Sequence, residues 1–75
     1  MNISKKQVKE EIKNLRERTI NKCNYFPADH HKYATEATTA LGTLYMLRLI
    51  TQEQYKEERE KMYIAAQEVW DKIIK

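Results

Sequence analysis

The densest group of chemistry-bearing side chains is Asp29-His30-His31, with Cys23 upstream and Glu36 downstream. Thiolate, imidazole and carboxylate are the zinc ligands, and a structural metal would strengthen so short a chain. The spacing works against that chemistry. With about 3.6 residues per helical turn, adjacent histidines point roughly 100° apart and cannot share one ion without distortion. Glu36 falls off the face of His31. Asp29 is therefore expected as a helix cap, with both imidazoles in solvent and no metal bound. Cys23 beside a histidine could in principle form a nucleophile–base pair. The single glycine, Gly42, builds no glycine-rich cradle, and 75 residues are too few to close a deep pocket. The expectation is a protein without enzymatic activity and without a cofactor.

Lys6, Lys9, Lys13 and Arg16 recur at spacings of three, four and three, so they share one helical face. Phosphates of a nucleic acid would favour such a stripe, as would an acidic protein partner. Glu10 and Glu17 stand at i±4 from Lys6 and Lys13. No Asn, Gln or aromatic side chain is interleaved to read bases. The default for this face is solvent, with nucleic-acid binding as the alternative function. The net charge of +3 permits an acidic partner without demanding one.

The elements that position these groups are signalled at their starts. Ile3-Ser4-Lys5-Lys6-Gln7-Val8 and Ile50-Thr51-Gln52-Glu53-Gln54-Tyr55 share one pattern. A hydroxyl at N-cap accepts from the N3 backbone, a Gln at N3 reaches back to the cap, and flanking apolar residues close as a staple. Pro27 ends the first helix by biasing Phe26 away from the helical region, and Asp29 caps the second. The chain is thus read as one all-α domain, a compact three-helix bundle with helices at about 5–23, 29–48 and 52–74. One Gly and one Pro, with a third of the chain charged, suit helices joined by short connections. Asn2 to Arg18 is charged and periodic, unlike a signal peptide, and no apolar run approaches the ~20 residues needed to span a bilayer. A lone cysteine excludes an internal disulfide and suits a reducing compartment, most simply the cytoplasm.

In the first helix Val8, Ile12, Leu15 and Thr19 form the inward stripe, with Ile20 and Cys23 as a second row. Tyr25 and Phe26 beside Pro27 are expected to plug one end of the bundle, with an exposed aromatic binding knob as the alternative. The second helix has an unusual middle, Ala34 to Thr43, rich in Ala and Thr and containing Gly42. Its intrinsic propensity is poor, so close packing by neighbours must hold it helical, with a gap at Thr38-x-x-x-Gly42. From Leu44 to Arg59 the chain reads L-x-x-L-x-L-I-T-x-E-x-Y-x-x-x-R. This stretch resembles the helical hairpin of SHOCT-type domains, which end one helix in Gly-Ile-Ile-Thr and begin the next with Glu-Glu-Phe. Arg48 occupies the place of that family's Gly. The resemblance implies helix-turn-helix chemistry over this segment and transfers no functional residue.

The third helix is apolar nearly all round in its second half. Met62, Ala66, Val69 and Ile73 can fill the bundle, which leaves a further face of Tyr63, Trp70 and Ile74, edged by Ala66 and Ile73. A small monomer needs only one apolar face per helix, so this set is the expected protein interface, most simply between two copies about a two-fold axis. The competing placement turns Trp70 inward beside Phe26. The favoured function is a small cytoplasmic interaction module, an accessory or regulatory protein that occupies a surface of a larger protein. A Lys-, Ile- and Asn-rich composition suits a bacterial or phage source.

Overall fold

The computed structural model describes residues 4–74. They form three helices, α1 (Lys5–Tyr25), α2 (His30–Met46) and α3 (Gln52–Ile74), with one 3₁₀ turn at Pro27–Asp29. The three-helix bundle expected from the sequence is the fold. No described helix is long and apolar enough to cross a membrane.

Both capping boxes form. Gln7 N–H donates to Ser4 Oγ at 3.1 Å while Ser4 N–H donates to Gln7 Oε1 at 2.8 Å. Gln54 N–H donates to Thr51 Oγ1 at 3.1 Å, and Thr51 N–H donates to Gln54 Oε1 at 2.9 Å. Each box satisfies two amides that the first helical turn would otherwise leave to water. Ile50, the staple residue of α3, is buried, and Tyr55 packs against the same cluster. The corresponding staple of α1 involves Ile3, which lies outside the described residues.

Helix ends differ from the expected boundaries for identifiable reasons. Proline restricts only the residue before it, so α1 runs past Cys23 to Tyr25 and breaks at Phe26 (φ −133°, ψ 71°). Asp29 is already near-helical (φ −98°, ψ 16°), and its carboxylate makes no capping bond; the 3₁₀ turn leads straight into α2. At the other end α2 stops at Met46, short of Arg48. Arg48 N–H donates to the Tyr45 carbonyl at 2.9 Å, and Leu49 N–H donates to the Leu44 carbonyl at 3.0 Å. That pair of bonds is a Schellman motif, and Arg48 takes the left-handed position it requires, with φ 61°. Leu44 and Leu49, the residues such a motif brings together, both pack on the core.

The core has two parts. Toward the α2–α3 turn, Val8, Ile12, Ala37, Leu41, Ile50 and Met62 are buried together. Toward the α1–α2 corner, Cys23, Ala34, Ala66 and Val69 form the second cluster. The expected α1 stripe is therefore the packed one. In α2 the close approach falls on Ala34, Ala37 and Leu41, not on the Thr38–Gly42 gap. A Cβ at Gly42 would meet Tyr55 Cε1 at 3.9 Å, an ordinary contact distance. The threonines of α2 return their hydroxyls to the preceding turn. Thr35, Thr38, Thr39 and Thr43 donate to the carbonyls of His31, Ala34, Thr35 and Thr39 at 2.9–3.3 Å. These bonds satisfy the hydroxyls without adding helical stability, so burial of Ala34, Ala37 and Leu41 must hold the segment helical.

Candidate functional site

The α1–α2 corner gathers most of the side chains singled out from the sequence. His30, expected in solvent, is buried. A carbonyl oxygen can only accept, so the ring's Nδ1–H donates to the Pro27 carbonyl at 2.8 Å. The other face of the ring stacks on Trp70, with centroids 5.2 Å apart and planes 11° from parallel. His31 is exposed as expected, 4.8 Å from His30 and 6.2 Å from Tyr63, centroid to centroid. Trp70 does turn inward, but its partner is His30, not Phe26. Among the described residues no group of three or more His, Cys, Asp or Glu side chains is placed to hold a metal ion. Cys23 is fully buried, and burial pushes its thiol pKa up from the ordinary value.

The interface set expected on α3 is divided by the packing. Ala66 is 1% exposed and sealed in the core, so it cannot touch a partner. Tyr63 is half-buried and committed to α2. Thr35 spends its own proton on the His31 carbonyl, so the Tyr63 hydroxyl donates to Thr35 Oγ1 at 3.2 Å. Trp70 is half-buried against His30. Only Ile73 and Ile74 remain largely in water, 52% and 59% exposed, because they lie a turn beyond Val69, the last buried residue of α3.

The aromatic pair expected to plug the bundle instead projects from it. Tyr25 is 81% exposed and Phe26 60%. The two extra residues of α1 carry them past Cys23, and His30 with Trp70 fills the end they were to close. Tyr25, Phe26 and half-buried Tyr33 line a shallow depression whose polar edge is Arg18, Asn21 and Lys22. Lys22 Nζ lies 5.7 Å from the Tyr33 ring centroid and 3.8 Å from Glu36. Arg18 Nη2 pairs with Glu11 at 3.1 Å. Aromatics edged by Arg and Asn can anchor a partner by burial and direct it by hydrogen bonds. The sequence signal for this site was the Tyr-Phe-Pro run itself.

The basic stripe is broken up. Lys6, Lys9 and Lys13 are exposed on α1, but Arg16 turns to α3 and pairs with Glu58 at 3.3 Å. Lys61 holds the same carboxylate at 3.4 Å. The i±4 pairs expected from Lys6–Glu10 and Lys13–Glu17 are absent among the described ion pairs.

Fold and site together define a small all-α bundle with an exposed aromatic corner. No protein-family model, curated protein or solved structure matches the chain.

Proposed function

We propose that this protein is a small non-enzymatic interaction module, a bacterial or phage accessory or regulatory protein that occupies a surface of a larger protein through its aromatic corner. The observation that carries this reading is the exposure of Tyr25 and Phe26, 81% and 60%, on a bundle whose end is already filled by His30 and Trp70. Neighbouring exposed aromatics are favoured anchors at protein interfaces, and burying one such side chain stabilises by ~1.5–3 kcal/mol. Composition supports the source, and the lone buried cysteine supports a reducing compartment such as the cytoplasm.

Affinity capture from a bacterial lysate at two salt concentrations tests the proposal, with the parent compared against a Tyr25→Ala/Phe26→Ala variant. Both positions are exposed, so the variant keeps its fold by circular dichroism. The expected result is a protein band retained by the parent at both salts and lost by the variant. Bands unaffected by the substitution refute the corner as the binding surface. Nuclease-sensitive material lost at the higher salt would favour the nucleic-acid alternative through Lys6, Lys9 and Lys13. Sedimentation at tens of micromolar tells whether the occupant is a second copy, in which case the 9.0 kDa chain sediments at twice its mass.

A further inference from the structure

Far along the bundle from Tyr25 and Phe26, the first turns of α1 and the α2–α3 turn enclose a groove. Three cations stand around it, Lys5 and Lys9 from α1 and Arg48 from the turn, and no carboxylate lines it. None of the three makes an ion pair among the described residues, whereas Arg16, Arg18, Lys22 and Lys61 all do. The rest of the lining is half-buried Leu49 with the edges of Val8, Ile12 and Ile50, flanked by the exposed polar side chains of Thr51 and Gln54. The groove continues along the α1–α3 seam through Lys9 and Gln54 to Arg16 and Glu58. From Lys5 to Arg16 the helix rises about 16 Å, the length of three turns. Glu58, the one carboxylate at the far end, is neutralised by Arg16 and Lys61.

We infer that this groove binds an acidic amphipathic helical segment of a protein partner, its carboxylates against Lys5, Lys9 and Arg48 and its apolar side chains over Leu49. Charge complementarity selects the acid, and the apolar patch at Leu49 selects an amphipathic peptide over a sugar-phosphate backbone. Nucleic acid would be better served by a longer line of free cations, and the next cation along the seam beyond Lys9, Arg16, is already paired with Glu58. Arg48 stands on the rim at the one non-glycine position of positive φ among the described residues. The inference extends the reading of a protein partner to a second surface and does not depend on Tyr25 or Phe26.

The test is a ¹⁵N-resolved NMR titration with a capped twelve-residue peptide of repeated Leu-Glu-Glu-Leu, beside a counterpart with Lys in place of every Glu. Expected shifts concentrate on Lys5, Lys9, Gln54 and the Arg48–Thr51 backbone, and the Lys peptide leaves them unmoved. Affinity should fall about fivefold between 50 and 200 mM salt as screening tightens. Lys9→Gln with Arg48→Gly should weaken binding about tenfold or more, while Tyr25→Ala/Phe26→Ala leaves it unchanged. No binding at millimolar peptide overturns the inference, as do shifts spread over Lys13 and Lys32 or an affinity indifferent to the groove substitutions. A twelve-base-pair duplex that binds these residues more tightly than the peptide would assign the groove to nucleic acid instead.

Discussion

Replacing Arg48 with glycine should make this protein more stable while removing a positive charge from its surface. Arg48 holds the left-handed position of the Schellman motif that ends α2, with φ 61°. For an L-residue this conformation costs roughly 1–2 kcal/mol, because Cβ crowds the following carbonyl oxygen. Glycine escapes that cost but brings a looser unfolded chain, which takes back about 0.4–1 kcal/mol. The net gain is about 0.8 kcal/mol within a range of roughly 0–1.6, or about 3–6 °C in melting temperature at the central value for a domain of this size. Relief of repulsion among Lys5, Lys9 and Arg48 would also stabilise, so Arg48→Ala serves as the control. It removes the same charge and keeps the Cβ. Thermal unfolding followed by circular dichroism should place Arg48→Gly above both the parent and Arg48→Ala. If Arg48→Ala gains as much as Arg48→Gly, the cost at this position is electrostatic and the backbone argument is wrong. If neither gains, the turn does not constrain α2 as described.

Thr51→Ala removes the acceptor for Gln54 N–H and should cost about 1 kcal/mol within a range of ~0.5–2, seen as a lower urea midpoint. Gly42→Ala should stabilise by up to ~1 kcal/mol, since its Cβ would meet only Tyr55 at contact distance; a lower melting temperature would restore the clamped gap expected from the sequence. Burial raises the Cys23 pKa from its ordinary value of 9.0, so its contribution to stability is complete below pH 9.0 and is lost as pH rises through the folded value, because unfolded chains ionise first. The stability difference between the parent and Cys23→Ala should therefore shrink between pH 8 and pH 10.5 in parallel urea titrations.

What the sequence made legible was local. A hydroxyl and a Gln three residues apart make the same reciprocal bonds wherever they occur, so Ser4–Gln7 and Thr51–Gln54 located two helix starts. The inward stripe of α1 was readable because one face of one helix is a matter of spacing alone. The pairings that decide the candidate sites are between distant positions. Trp70 meets His30 across forty residues, and Arg16 meets Glu58 across 42. No property of Arg16 alone distinguishes a side chain that lies in solvent from one held by α3. The Tyr25–Phe26 placement turned on where the proline's restriction begins. Two more helical residues in α1 before Phe26 are the difference between a plug and a projection. The Lys5–Lys9–Arg48 groove depends on the left-handed turn at Arg48, and nothing in the residue type of arginine announces that conformation.

Apolar volume is distributed unevenly between the core and the ends of the bundle. The helices meet on small side chains, with Ala34, Ala37 and Ala66 buried, while Tyr25, Phe26, Met46 and Leu47 stand mostly in water. A chain of 75 residues has little core to spare, and larger inward residues, with helices spaced to fit them, would stabilise it further. Single exposed apolar residues need no explanation, since folded surfaces carry many. Adjacent pairs beyond both core clusters are a different matter. They contribute little to the fold, and under the proposed function they are where a partner would gain apolar contact. Tyr25 and Phe26 sit beside Arg18 and Lys22, whose charges are already taken up by Glu11 and Glu36. That corner therefore offers burial more than charge. The groove near Arg48 offers three uncommitted cations around an apolar patch at Leu49. A partner that covers the first should bind with little salt dependence, and one that enters the second should be released by salt. That contrast in salt response distinguishes the two surfaces in solution.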